Sequence, residues 1–258
     1  MLPHRVERAL QLGRSRERLQ IDLGGKALPD GGIAVVQDAG SVSHDEFRCE
    51  VSGVSVRDRL WWDSSPARYV LDRPLVAEPG SLWNDNGGHT VLLAEILEQR
   101  SGRTLLDLAR TNLFEPLGIT HWEWRSGLHR RRLAYAGLRL TPPDLLRLGQ
   151  LLLGGGAWQG RQVLPAAWVE ATLQPSITIG KGPFSYGHHW WDGRVQHDGT
   201  NVRWTAGVGN GGQRLFVVPE LDLVVVFTAG AYSEINAEKA EQLVRTEYAL
   251  FRQLVGAA

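Results

Sequence analysis

Two short clusters combine hydrogen-bonding side chains with glycine: Asp85-Asn86-Gly87-Gly88, followed by His89, and Asn210-Gly211-Gly212-Gln213. By residue type alone these clusters read as punctuation. Asp85 and Asn86 suit a turn or helix cap, and Asn210 to Gly212 suit a glycine-rich turn. His89 is a spare base beside the first cluster, although a lone histidine there is more often structural. Ser41, Ser43, Ser52, Ser64 and Ser65 offer hydroxyls, but none has a local activating partner at helical spacing. His188-His189 and His197-Asp198 invite a metal reading. Adjacent histidines on a strand point to opposite faces, and no carboxylate stands one helical turn from them, so no metal site is expected. Cys49 is the single cysteine, which excludes an intrachain disulfide and a cysteine metal cluster. Nothing implies a cofactor.

The elements that would position these clusters are legible mainly after Ser64-Ser65-Pro66. Leu92, Leu93, Ile96 and Leu97 recur at helical spacing and end at Ser101-Gly102. Thr104 with Asp107 forms a capping-box pattern, and Phe114-Glu115-Pro116-Leu117-Gly118 closes the helix it opens. Thr141-Pro142-Pro143-Asp144 starts another helix, whose stripe is Leu145, Leu148, Leu151 and Leu152 and whose stop is Gly154-Gly155-Gly156. Pro165 opens a short helix carrying Trp168 and Val169. Leu215 to Val218 and Leu223 to Thr228 read as buried strands joined by Pro219-Glu220-Leu221-Asp222. A final helix from about Ser233 to Leu254 places Ala240, Leu243, Val244, Tyr248, Phe251 and Val255 on one face. Upstream, Ile33 to Val36 is a short buried strand, and the arginines from Arg5 to Arg18 read as a solvated helix face or an arm. Arg130-Arg131-Arg132 reads as a solvated loop. These elements imply an α/β (α+β layered) domain, an antiparallel sheet with covering helices and a helical region.

The chain has 258 residues, 43% apolar and 22% charged, enough for one large core. Its 28 basic and 28 acidic side chains cancel, which favours neither nucleic acid nor an anionic membrane as a partner. There is no apolar run of signal-peptide or membrane-spanning length, so a soluble cytoplasmic protein is expected. The ten tryptophans read as core and loop braces, with an indole-lined cleft as the alternative.

From about Pro66 to the C-terminus the chain resembles the β-lactamase-related serine hydrolases, the group around class C β-lactamases, penicillin-binding DD-peptidases and related esterases. The matching stretches are Arg68 to Leu75, Glu78 to Asn84, Leu113 to Thr120, Gly137 to Pro142, Trp158 to Pro165 and Gly209 to Phe216, in that order. The resemblance sets residues 1–62 apart as a divergent or truncated segment and 63–258 as the related domain. It implies three motifs. The first is a serine with lysine one helical turn later, the lysine taking the hydroxyl proton. The second carries a tyrosine that assists that transfer. The third is a short strand motif whose backbone binds substrate and oxyanion.

The third motif is matched by Asn210-Gly211-Gly212, with Gln213 beside it, as the substrate-binding edge. At the second, Asp85 stands where the tyrosine belongs, followed by Asn86, and these two are the catalytic-position remnants. Aspartate ordinarily titrates near about 3.9 and a phenol near about 10, so Asp85 would accept protons but not shuttle them. The first motif is absent. The lysines are Lys26, Lys181 and Lys239, and three positions before them stand Leu23, Thr178 and Asn236. The resemblance therefore implies ester or amide hydrolysis by ancestry, with catalysis lost or impaired. The alternatives are an esterase with a nonstandard serine, using Asp85 or His89 as base, and a module that binds an acyl or peptide ligand without turnover. The expected partner is a small acyl, ester or peptide-like ligand. Only 84 residues precede Asp85. If the family's first strands are missing, the sheet has an uncovered edge through which the chain would self-associate.

Overall fold

The computed structural model describes residues 7–12, 33–38, 60, 63–73, 87–127, 130–174, 177–179, 183–232 and 237–258. In chain order these form strands β1 (Glu7–Leu12) and β2 (Ile33–Asp38), then helices α1 (Pro66–Leu71), α2 (Gly87–Ser101), α3 (Leu105–Ala109) and α4 (Glu115–Leu117). Strands β3 (Trp122–Trp124) and β4 (Leu138–Leu140) and helix α5 (Pro142–Leu153) follow. Next come β5 (Ala157–Trp158), β6 (Arg161–Gln162), α6 (Ala166–Thr172), β7 (Ile177–Thr178), β8 (Ser185–Gly187) and β9 (Trp190–His197). The chain ends with β10 (Thr200–Gly209), β11 (Gln213–Val218), β12 (Leu223–Thr228) and α7 (Ala237–Val255). Two compact units emerge, one of Met1–Glu46 with Pro142–Ala258 and one of Phe47–Thr141.

The first unit is built on an 8-stranded sheet in the order β1-β2-β12-β11-β10-β9-β8-β7. From β12 to β7 every pairing is antiparallel, whereas β2 runs parallel to both β12 and β1. Residues 7–12 are thus a strand, not the solvated helix or arm that the alternating charges suggest. The expected pair after Gly212 is present as β11 and β12, joined by a turn at Pro219–Leu221 and a left-handed Asp222.

Leu215 to Val218 of β11 and Leu223 to Phe227 of β12 are continuously apolar because both faces are covered. On one face Phe216, Val218, Val225 and Phe227 pack with Trp204, Phe251 and Leu254. On the other, Leu215, Val224 and Val226 meet Leu146 of α5. The α5 helix approaches so closely that a Cβ on Gly149 would collide with Val224. Its N-terminal signal is realised with Asp144 buried and ion-paired to Arg147. At its end, Gly156 N–H bonds Leu151 O and Gly155 N–H bonds Leu152 O, the paired contacts of a Schellman stop.

Helix α7 keeps most of its expected face, with Phe251, Val255 and Tyr248 at the core, and departs from it at Val244. Val244 is 52% exposed, while Leu250 and Leu254 are buried with Phe251 and Val255. The stripe also takes in Glu247, buried one turn after Leu243 and one turn before Phe251.

In the second unit, Thr104 Oγ1 accepts from Asp107 N–H, as the capping pattern requires. Proline at 116 has no N–H to give, and the chain absorbs this with a π-helical turn at Arg110–Phe114, where Glu115 N–H reaches Arg110 O. Gly118 then stops the helix at φ 66, with Ile119 N–H on Phe114 O. The stripe expected on α2 faces outward instead: Leu93, Ile96 and Leu97 are each about half exposed (50%, 55% and 51%). Val91, Ala94, Glu95 and Glu98 line the inner side, facing Arg131 to Tyr135. That inner side combines apolar Val91 and Ala94, near Leu60 and Leu133, with an ionic tether to Arg131. Arg131 reaches Glu95 at 2.5 Å and Glu98 at 2.8 Å, so the expected solvated loop is tethered to α2 although this side chain stays 40% exposed. Arg132 likewise bonds Trp124 O and Ser126 Oγ. Among the described residues no helix is long and apolar enough to cross a membrane.

Candidate functional site

Of the residues singled out for chemistry, Asp85 and Asn86 lie outside the described residues. Asn210, Gly211, Gly212 and Gln213 are described and lie together, directly before the strand residues Arg214 to Val218, as expected. Asn210 to Gly212 form the turn between β10 and β11, and the strand begins at Gln213. A hairpin this tight needs left-handed backbone, which Gly211 at φ 77 and Gly212 at φ 86 supply without a Cβ penalty.

Space demands glycine as strongly as dihedral angle does. A Cβ on Gly211 would overlap the Tyr232 ring, and one on Gly212 would lie 2.6 Å from Glu247 Oε1 and 2.7 Å from Ala229 Cβ. Both glycines are buried while Asn210 is exposed, so the turn offers the carboxamide of Asn210 outward and is backed by protein on its inner side.

Gln213 braces that backing. Its Nε2 donates to Ala229 O and, at 3.3 Å, to Gly211 O. Ala231 N–H donates to Gly211 O at 3.2 Å, so the segment after β12 is tied to the turn twice. Behind it, Arg214 Nη1 donates to Gly209 O at 2.7 Å and to Gln213 O at 2.9 Å, one carbonyl on each side of the turn. The other nitrogen, Nη2, lies 2.8 Å from Glu247 Oε2, with side-chain exposures of 11% and 7%. Burial pushes the Glu247 carboxyl above its usual range, and the Arg214 charge opposes that rise. Burial likewise lowers the Arg214 guanidinium, against the pull of Glu247. Sequence reading passed over this pair. Its signal was a glutamate at the centre of an otherwise apolar helical stripe, between Leu243 and Phe251.

The histidines take other places than expected. His188 and His189 are not on a strand but form the two-residue turn between β8 and β9, with φ 50 and φ 69. His197 Nδ1 lies 2.9 Å from Val255 O, tying β9 to the end of α7. Among the described residues no group of three histidine, cysteine or carboxylate side chains is placed to hold a metal. His89 is exposed in the first turn of α2. Of the tryptophan pairs, Trp122 and Trp191 pack on Phe114 and Tyr186, and Trp124 Nε1 donates to Leu133 O. All of these brace structure.

Residues 50–247 match the Beta-lactamase family model. The chain is 31% identical over 153 residues to the 6-aminohexanoate-dimer hydrolase of Paenarthrobacter ureafaciens, a match covering 54% of this chain and 36% of that protein. Among solved structures it is similar to a Bacillus anthracis protein assigned as a 6-aminohexanoate-dimer hydrolase, with TM-score 0.64 and 23% identity, covering 83% of this chain and 58% of that one. It is also similar to a penicillin-binding protein from Bacillus halodurans, with TM-score 0.53 and 18% identity over 74% of this chain and 65% of that one. The chain therefore spans less than two thirds of the length of these relatives. A family match over residues 50–247 covers most of the sequence, and the chain belongs to the β-lactamase family.

Proposed function

We propose that this chain is a non-acylating member of the β-lactamase family that holds a small acyl, ester or peptide-like ligand against the turn Asn210 to Gln213. One observation carries the reading. Within the 258 residues no lysine has a serine three positions before it, so no serine can have the base that the family places one helical turn away. A serine hydroxyl without a base to take its proton is a weak nucleophile. Binding has no such requirement, since hydrogen bonds from a turn and its carboxamide hold a ligand without forming a covalent bond. The relatives named as 6-aminohexanoate-dimer hydrolases suggest a short linear amide as the ligand class.

The test is intact-mass spectrometry after incubation with a fluorophosphonate and, separately, with a penicillin, near neutral pH. No adduct is expected on any serine. A stoichiometric mass gain, mapped to one serine and abolished by its change to alanine, would sink this reading in favour of an esterase with a nonstandard nucleophile.

A further inference from the structure

We propose that Glu247, on the C-terminal helix, is a positioning residue for the ligand-holding turn and acts on it through Arg214. The proposal rests on the reading of Asn210 to Gln213 as a ligand-binding edge. The guanidinium of Arg214 is a rigid planar fork. One side of it holds the carbonyls of Gly209 and Gln213, the residues that enter and leave the turn, at 2.7 and 2.9 Å. Nη2 meets Glu247 Oε2 at 2.8 Å, off the hydrogen-bonding direction. Without the carboxylate, a buried guanidinium would turn outward to water and release both carbonyls. The other carboxylate oxygen sits 2.6 Å from where a Gly212 Cβ would stand. Glu247 thus fixes the turn twice, by orienting the arginine and by backing the glycine.

Stability alone explains the pair poorly. Buried ion pairs are commonly no more stabilising than apolar side chains of the same volume. Here the alternative was available, because Leu250, Phe251, Leu254 and Val255 fill the rest of the same stripe. What an apolar pair could not supply is the two-carbonyl clasp across the turn.

The experiment compares the wild type with Glu247→Leu, which leaves Arg214 in place, with the double variant Arg214→Met/Glu247→Leu, and with Arg214→Lys, which keeps the charge but lacks the fork. Amide hydrogen exchange is read in ligand-free protein at 209–213 and 229–232, with 215–218 and 223–228 as internal references. Affinity for the linear 6-aminohexanoate dimer is read by calorimetry. Exchange in the turn is expected to rise at least about tenfold with the reference strands unchanged, and binding to weaken about tenfold as the competent turn falls to a tenth of the population. A double variant as stable as wild type yet weaker in binding separates positioning from mere structural support. Unchanged turn exchange in a folded variant would overturn the proposal. Should the double variant lose its reference strands, Arg214→Lys decides by the same ratio. If the wild type itself binds no dimer, the ligand reading for that amide fails, and exchange alone decides whether Glu247 holds the turn.

Discussion

At the residue scale, glycines of similar backbone conformation differ in what surrounds them. Gly212 at φ 86 faces Glu247 Oε1 and Ala229 Cβ, whereas Gly160 at φ 80 faces open space. Alanine at 160 pays only the left-handed conformation, about 1 kcal/mol. At 212 it adds overpacking against the carboxylate, so the loss should reach roughly 2–4 kcal/mol. Urea unfolding of Gly212→Ala beside Gly160→Ala checks this, and equal losses would mean that Glu247 yields freely. The need for glycine in this turn was readable from Asn210-Gly211-Gly212. What stands behind each glycine was not, because Tyr232 and Glu247 arrive from later elements.

At the element scale, helix α2 turns two carboxylates, Glu95 and Glu98, toward Arg131. The Glu95 carboxyl is held below its ordinary range, first by the Gln99 side-chain hydrogen bond and then by Arg131. Hydrogen bonding to Glu98 leads the causes that raise the Arg131 guanidinium. A depressed carboxylate contributes stability that is fully present above its unfolded value of about 4.3 and is lost as pH falls through the folded value. Glu95→Gln is therefore expected to flatten the acid limb of a stability-against-pH curve, while changing stability at pH 7 in the same direction as removal of one exposed ion pair. Urea midpoints from pH 3 to pH 7 for wild type and variant provide the comparison, and parallel curves would remove Glu95 from the account. The helix itself was legible from Leu92 to Leu97, but its rotation was not. Periodicity shows which residues share a face, and long-range partners, Leu133 and Tyr135 as well as Arg131, accompany the face that turns inward.

On the scale of the whole molecule, the described sheet ends at β1 on one side and β7 on the other. An edge strand carries backbone donors and acceptors that can pair with another chain. Self-association that grows with concentration is the expected outcome in size-exclusion chromatography with light scattering. A clean monomer over a wide concentration range would count against it. The sheet does not stop at β12, as loss of the family's first strands would suggest, because β2 and β1 continue it in parallel.

The sequence by itself determined the punctuation and the family. Prolines at 116 and 142 restrict their own backbone, and glycines at 118, 155, 156, 211 and 212 accept the left-handed conformation that other residues resist, so helix stops and the hairpin turn follow from local chemistry. The lysine census is likewise a property of sequence alone. Tertiary structure decided what packs against what. It turned the apolar residues of α2 outward, laid residues 7–12 alongside β2, placed His188 and His189 in a turn, and drew Glu247 into the core against Arg214. Apart from the local histidine turn, these outcomes depend on partners tens of residues away, and a charge on an apolar stripe can either face water or find an ion inside. Only the assembled fold, with Arg214 stationed at the start of β11, chooses the second.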